Sequence, residues 1–238
     1  MSRRARQAVF GTGAAVLAVL FALAAAGLPP FGGDQHPYRD RAVAAALHQA
    51  TANVVASLTF DLRGLDTLGE EMILLGSVVG AVALLRPRPD EKPHADDKTS
   101  RPQQDAVALI SYVFLPLTLL LGFDLLVHGH LTPGGGFQGG VVLATGLHLL
   151  YLSGGYDALR RLRPLAWYEW VEGLTTAAFA LAGTANLVNF LPHGRVQQLF
   201  SAGTVPILNI LVGFAVGAGA VVLLAQFLTQ AITLEGEG

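Results

Sequence analysis

The sequence predicts an all-α polytopic membrane helix bundle of about six transmembrane helices, and three observations carry that prediction. Of its 238 residues, 52% are hydrophobic and only 13% charged, with a mean hydropathy of +0.50, far too apolar for a water-soluble domain. The apolar residues fall in long continuous runs, each near the roughly 20 residues a helix needs to cross a bilayer core. These runs hold Leu, Ala and Val with Gly inside them, whereas a membrane barrel would show short alternating strands.

The first run, Val9–Leu28, follows Arg3, Arg4 and Arg6 and ends near Ala24, Ala25 and Ala26, as a secretory signal does. Its length and the spans after it favour a retained helix. The second run is Thr67–Leu85, with Glu70 and Glu71 at its start, and the fourth, Gly136–Gly154, is interrupted by His148. These two are the weakest, and five spans remain an alternative. Ala106–Val127, Trp167–Leu191 and Thr204–Leu228 complete the set.

Basic residues give the direction. Arg3, Arg4 and Arg6, the group Arg86, Arg88, Lys92, Lys98 and Arg101, and the group Arg160, Arg161 and Arg163 fall on one side of a six-span arrangement. By the positive-inside rule that side is cytoplasmic, which predicts an inner-membrane protein with both termini inside. The stretch 87–105 carries dense mixed charge and several prolines, so it reads as a flexible cytoplasmic linker. It separates a two-helix module, 1–86, from a four-helix module, 106–238.

Several function classes are excluded or weakened. Without cysteine there is no disulfide, thiolate zinc site or Cys-bound cluster. A net charge of -2 without a basic face argues against nucleic acid. No nucleophile elbow, phosphate loop or metal-ligand set is present, so the chain is not read as an enzyme and no cofactor is expected.

The most specific segment is HGHLTPGGGFQGG, His128–Gly140, between the third and fourth spans. Pro133, Gly134, Gly135 and Gly136 suit a turn where backbone comes close to a neighbouring element, and Gly139 and Gly140 carry the glycines on into the helix. TPGGGFQGG resembles the signature of the B-type subunit of Mrp Na+/H+ antiporters and its counterpart in membrane-bound hydrogenases. GTVPILNILVG, Gly203–Gly213, resembles the final span of that B-type subunit. NVVASLTFDLRGLDTLGEEMILL, from Asn53, resembles the C-terminal end of the large A-type subunit of Mrp antiporters, so two neighbouring pieces of one complex look fused. The resemblance implies an accessory helical bundle whose partners are the other subunits of an Mrp-like complex and the bilayer, with Na+ and H+ as the transported ions. A redox-driven membrane arm, a purely structural subunit and a related assembly moving another solute are the competing readings.

Ionisable residues in membrane helices are costly, so each is a candidate for function. Gly136, Gly140, Ala144 and His148 recur every four residues and share one helix face, as do Asn209, Gly213 and Gly217. Small residues at that spacing let helices approach closely, and the two stripes suit one another. Two roles are open to His148, a structural hydrogen bond or a proton relay. Asp124 reads as an interfacial carboxylate or a cation-capture group, and with His128 and His130 it lacks a third convincing metal ligand. Asp61, Arg63, Asp66, Glu70 and Glu71 form the densest charge group. Its carboxylates either complement a helix dipole or lie on an ion path, and Glu169 and Glu172 face the same choice. The ion-path candidates are therefore Asp61, Asp66, Glu70, Asp124, His148 and Glu172.

Overall fold

The computed structural model describes residues 3–28, 32–85, 105–162, 165–185 and 191–235, and all their regular structure is helical. The elements are α1 (Arg3–Ala26), α2 (Pro37–His48), α3 (Val54–Ser57), a π-helical turn (Leu58–Leu62), α4 (Gly64–Leu84), α5 (Asp105–His128), α6 (Gly136–Leu162), α7 (Leu165–Ala185) and α8 (Val205–Glu235). Every apolar run of the sequence overlaps a helix, although residues 186–190 of the run Trp167–Leu191 lie outside the described residues. The short α2 does not correspond to any predicted span; it is polar at its start and buries only Ala42 and Ala46.

Four of these helices are long and apolar enough to cross a membrane: Arg3–Ala26, Gly64–Leu84, Leu109–His128 and Val205–Phe227. The count of about six is thus not reached on length and composition among the described residues. In α6 the apolar part is the shorter Gly136–Leu150, and in α7 Glu169 and Glu172 dilute a 21-residue helix.

The chain divides into two compact units, Met1–Asp40 and Arg41–Gly238. The first unit contains α1. In the second, α4 shares a core with α7 and α8. Nearly all of the linker, residues 87–104, lies outside the described residues.

Helix directions in the second unit follow from which residues meet. A Cβ placed on Gly122 would touch Leu143, on Gly139 Leu126, and on Gly146 Thr118, so α5 and α6 are antiparallel. Gly136 meets Asn209 and Gly140 meets Gly213, which makes α6 parallel to α8. Phe179 joins the Leu208 and Val212 cluster while Glu172 reaches Gly219, so α7 runs against α8. Phe60 packs near Val205 while Val78 lies at Gly219, so α4 runs with α8. Directions therefore alternate from α4 to α8, as they do when consecutive helices cross one layer. The π turn, the loop 129–135 and the segment 191–204 gather at one end.

The centre is α8. It packs on α4, α5, α6 and α7, and Leu208, Val212, Ala215, Val221, Val222 and Ala225 are fully buried. Its neighbours keep much apolar surface outward, for example Ile73, Leu120 and Leu181. In lipid that exposure carries no hydrophobic penalty, and helix association rests on close packing instead.

Candidate functional site: buried carboxylates around the central helix

The start of α4 is set by an irregular backbone. Asn53 caps α3, accepting the Val55 N–H at 3.1 Å, while its amide donates to the carbonyls of Gly129 (2.7 Å) and Thr132 (3.0 Å). The Asn53 N–H donates to the His130 carbonyl at 3.0 Å, so this one residue ties α3 to the loop before α6. The π turn then widens the chain, closing with the Arg63 N–H on the Leu58 carbonyl at 2.8 Å, and the Thr67 hydroxyl donates to the Thr59 carbonyl at 2.6 Å. Single π turns of this kind recur at functional sites. The rotation they set puts Thr67, Glu71 and Val78 inside and leaves Asp66 and Glu70 on the outer face. Asp66 is held there by Arg63, whose Nε donates to Oδ2 at 2.6 Å.

Glu71 is fully buried, and neither carboxylate oxygen has a hydrogen-bond partner among the described residues. Glu172, on α7, is 2% exposed and its Oε1 is likewise unpartnered. The two carboxylates act on each other electrostatically, with Glu70 adding to the field at Glu71 and Glu169 to that at Glu172. Space for this pair comes from α8. A Cβ on Gly219 would lie 2.8 Å from Oε1 of Glu172 and 3.2 Å from Val78, so any larger residue there would have to push the carboxylate aside. Gly219 is about 20 Å along α8 from its start at Val205 at 1.5 Å per residue, well inside a bilayer core. On another face of α8 at the same level, the His148 ring makes a backbone hydrogen bond at Ala220, and its Nε2 is buried.

The end where the π turn, the loop 129–135 and the segment 191–204 gather carries a second polar group. Asp61, in the π turn, is half-buried with Oδ2 unpartnered; burial pushes its carboxyl above the ordinary range, against the opposing pull of the His193 imidazole. His130 is fully buried, with Nε2 donating to the Leu199 carbonyl at 3.1 Å; burial pushes it below the ordinary imidazole value, against that bond and other backbone contacts. Asp124 is exposed and pairs with His128 one turn on, Oδ1 to Nδ1 at 2.8 Å.

The glycine-rich turn is a packing device. Gly134 and Gly135 have φ of +148° and +137°, which side chains disfavour, and this brings Gly136 onto α8. There the Gly136 N–H donates to Oδ1 of the fully buried Asn209 at 2.9 Å. An α8 side chain thereby caps α6, satisfying one of the donors a helix leaves free at its start. One turn further, Gly140 lies against the Gly213 carbonyl, and a Cβ on Gly213 would collide with Leu126 of α5. Pro133 opens this turn.

Of the residues singled out in the sequence, the structure brings Glu172 and His148 to one level of α8 and places Asp61, Asp66, Glu70 and Asp124 elsewhere. Glu71 and His130 were weighed in the sequence but not kept as ion-path candidates, and His193 was not singled out. Glu71 lies on one helical face with Thr67, Leu74 and Val78.

Residues 106–222 match the family described as "Domain related to MnhB subunit of Na+/H+ antiporter". Residues 106–222 are an MnhB-related domain. The MnhB-related domain runs from α5 into α8, and with its neighbouring spans makes this a multi-pass membrane protein.

The chain is 26% identical over 197 residues to an uncharacterized protein of Methanocaldococcus jannaschii, covering 72% of this chain and 75% of that one. It is 31% identical over 201 residues to a probable K(+)/H(+) antiporter A/B subunit of Rhizobium meliloti, covering 74% of this chain but 20% of that one. It is 33% identical over 93 residues to the B-type subunit of the Na(+)/H(+) antiporter of Bacillus subtilis, covering 38% and 62%.

Among solved structures, a chain of the membrane-bound sulfane sulfur reductase, an archaeal respiratory membrane complex, superposes with a TM-score of 0.72 at 27% identity, covering 94% of this chain and 98% of that one. A chain of the Mrp complex from Dietzia superposes with a TM-score of 0.69 over 95% of this chain and 26% of that one. At 23% identity the second likeness is one of fold.

Proposed function

We propose that this chain is an accessory membrane subunit of a multisubunit cation/proton antiporter, with Na+ as the cation, and that Glu71 and Glu172 are the carboxylates through which it takes part in ion translocation. The observation that carries the reading is the burial of both, unpartnered and mutually repelling, inside a bundle of membrane helices. Such a pair is costly, and a cation or a proton shared between the carboxylates relieves the repulsion. Alternate occupancy by Na+ and H+ is what exchange requires. The match of residues 106–222 to the MnhB-related family supports membership of such a complex, and the alternating directions of α4 to α8 support a six-span arrangement in which α6 and α7 also cross. In that arrangement both termini and the linker 87–105 are cytoplasmic, tested by labelling single cysteines at Ala95 and Ala158.

The alignment with the Rhizobium A/B protein is longer than the MnhB-related domain, which supports the reading of residues 53–86 as a fused A-type segment. The fold likeness to a respiratory-complex chain over 98% of that chain favours a second context, a redox-driven membrane arm with the same ion-handling role. Purifying the intact complex in mild detergent and identifying its subunits tests the reading. Antiporter subunits alone support the first context, iron-sulfur subunits the second, and a chain that purifies without partners contradicts both.

A further inference from the structure

At the π-turn end of the second unit, five polar side-chain atoms are buried without a hydrogen-bond partner among the described residues: Ser57 Oγ, Asp61 Oδ2, Ser201 Oγ, His193 Nε2 and His130 Nδ1. Four of these residues lie on two segments that pack together. Ser57 and Asp61 sit four apart across the start of the π turn, with Ser57 fully buried. Opposite them, the Ala202 N–H donates to the His193 carbonyl at 2.9 Å, and Gly194 and Gly203 fold the chain tightly on itself, which puts Ser201, 2% exposed, beside His193. Ala56, Phe60, Ala202 and Val205 belong to one core cluster, so the two segments are packed together, and Asp61 and His193 act on each other electrostatically.

Buried hydroxyl and carboxylate oxygens left unpaired are expensive, and four of these residues collected at one place indicate a ligand. We infer that Ser57, Asp61 and Ser201 form a binding site for a hydrated monovalent hard cation of the sodium class, with the His193 imidazole at its edge.

The donor chemistry selects this class. The ligands are hard oxygens, and a single carboxylate gives the site one negative charge, whereas divalent ions collect several carboxylates. Among the described residues no group of three or more His, Cys, Asp or Glu could hold a metal ion, which leaves a transition-metal site without ligands. His193 is the titratable group that faces Asp61 from the other segment, and Arg63 and Asp66 are its charged neighbours along its own chain. The site lies on the π-turn side of Glu71, the outer side in the six-span arrangement proposed above, so a cation entering from outside would reach it before the buried pair. The inference rests on the ion-translocation reading above.

Binding of radioactive Na+ to the purified intact complex tests it. Asp61→Asn, and independently Ser57→Ala with Ser201→Ala, should weaken Na+ binding by about tenfold or more at unchanged complex yield, and Asp61→Glu should restore part of it. The paired serine variant keeps the test valid if Asp61→Asn impairs assembly. Wild-type complex that binds no Na+, or variants that bind as wild type does, would overturn the site. The functional reading fails on a different result, a chain that purifies without antiporter or redox partners.

Discussion

The close approach of α6 and α8 makes a quantitative claim at Gly140. A Cβ at this position would lie 2.5 Å from the Gly213 carbonyl oxygen and 2.9 Å from Cβ of Val216. Carbon–oxygen contacts settle at about 3.3–3.6 Å, so alanine at 140 requires the two helices to part by roughly 1 Å. The obstacle is backbone, which cannot rotate aside as a side chain does. Overpacking of this kind costs about 1–3 kcal/mol.

Alanine also gains about 1 kcal/mol of helix propensity over glycine, which obscures the cost in a single variant. Gly173→Ala removes that ambiguity, because a Cβ there meets nothing within 4 Å. Both variants of the purified chain should be melted in mild detergent, where no partner subunit covers α7. At about 2–4 °C per kcal/mol for a chain of this size, Gly140→Ala should melt several degrees below Gly173→Ala. Equal melting of the two would refute the claim that α6 and α8 meet backbone to backbone.

Two further outcomes follow from named contacts. Asn209→Ala removes the acceptor of the buried Gly136 N–H and should lower stability by about 1–3 kcal/mol, measured in the same melt. His130 is held below its ordinary value of 6.5, so its contribution to stability is present above that pH and is lost as pH falls through the folded value. Acidifying from neutral should therefore destabilise the wild type more than His130→Gln, and parallel melting curves against pH would contradict the buried neutral imidazole.

The long helices were legible because lipid leaves no other fate for continuous apolar runs, and the glycine stripe of α6 was legible because packing faces recur every four residues. Less could be read at Glu70 and Glu71. In water the inward face of a helix is its apolar face, but here both faces of α4 are apolar, Ile73 outward and Val78 inward, so periodicity offered no reason to choose between neighbouring glutamates. Orientation came from the π turn, which has no sequence signature, and from the Thr67–Thr59 bond that fixes it. The capping role of Asn209 was hidden for another reason. It depends on α6 and α8 being parallel with their starts level, a relation set by the whole bundle and not by either helix. His193 and Ser201 lie in an irregular segment whose burial no periodicity announces.

The central claim is that the buried pair Glu71 and Glu172 handles the translocated ion, and cation/proton exchange in vesicles, measured beside the amount of assembled complex, tests it most directly. Glu71→Gln and Glu172→Gln keep the shape of the side chains while removing the charge that a cation or proton would neutralise. The account predicts that transport falls by about tenfold or more in each single variant, equivalent to at least about 1.4 kcal/mol, while assembled complex stays near the wild-type amount. Near-normal transport in the double variant, or a loss no greater than the loss of complex, would contradict it.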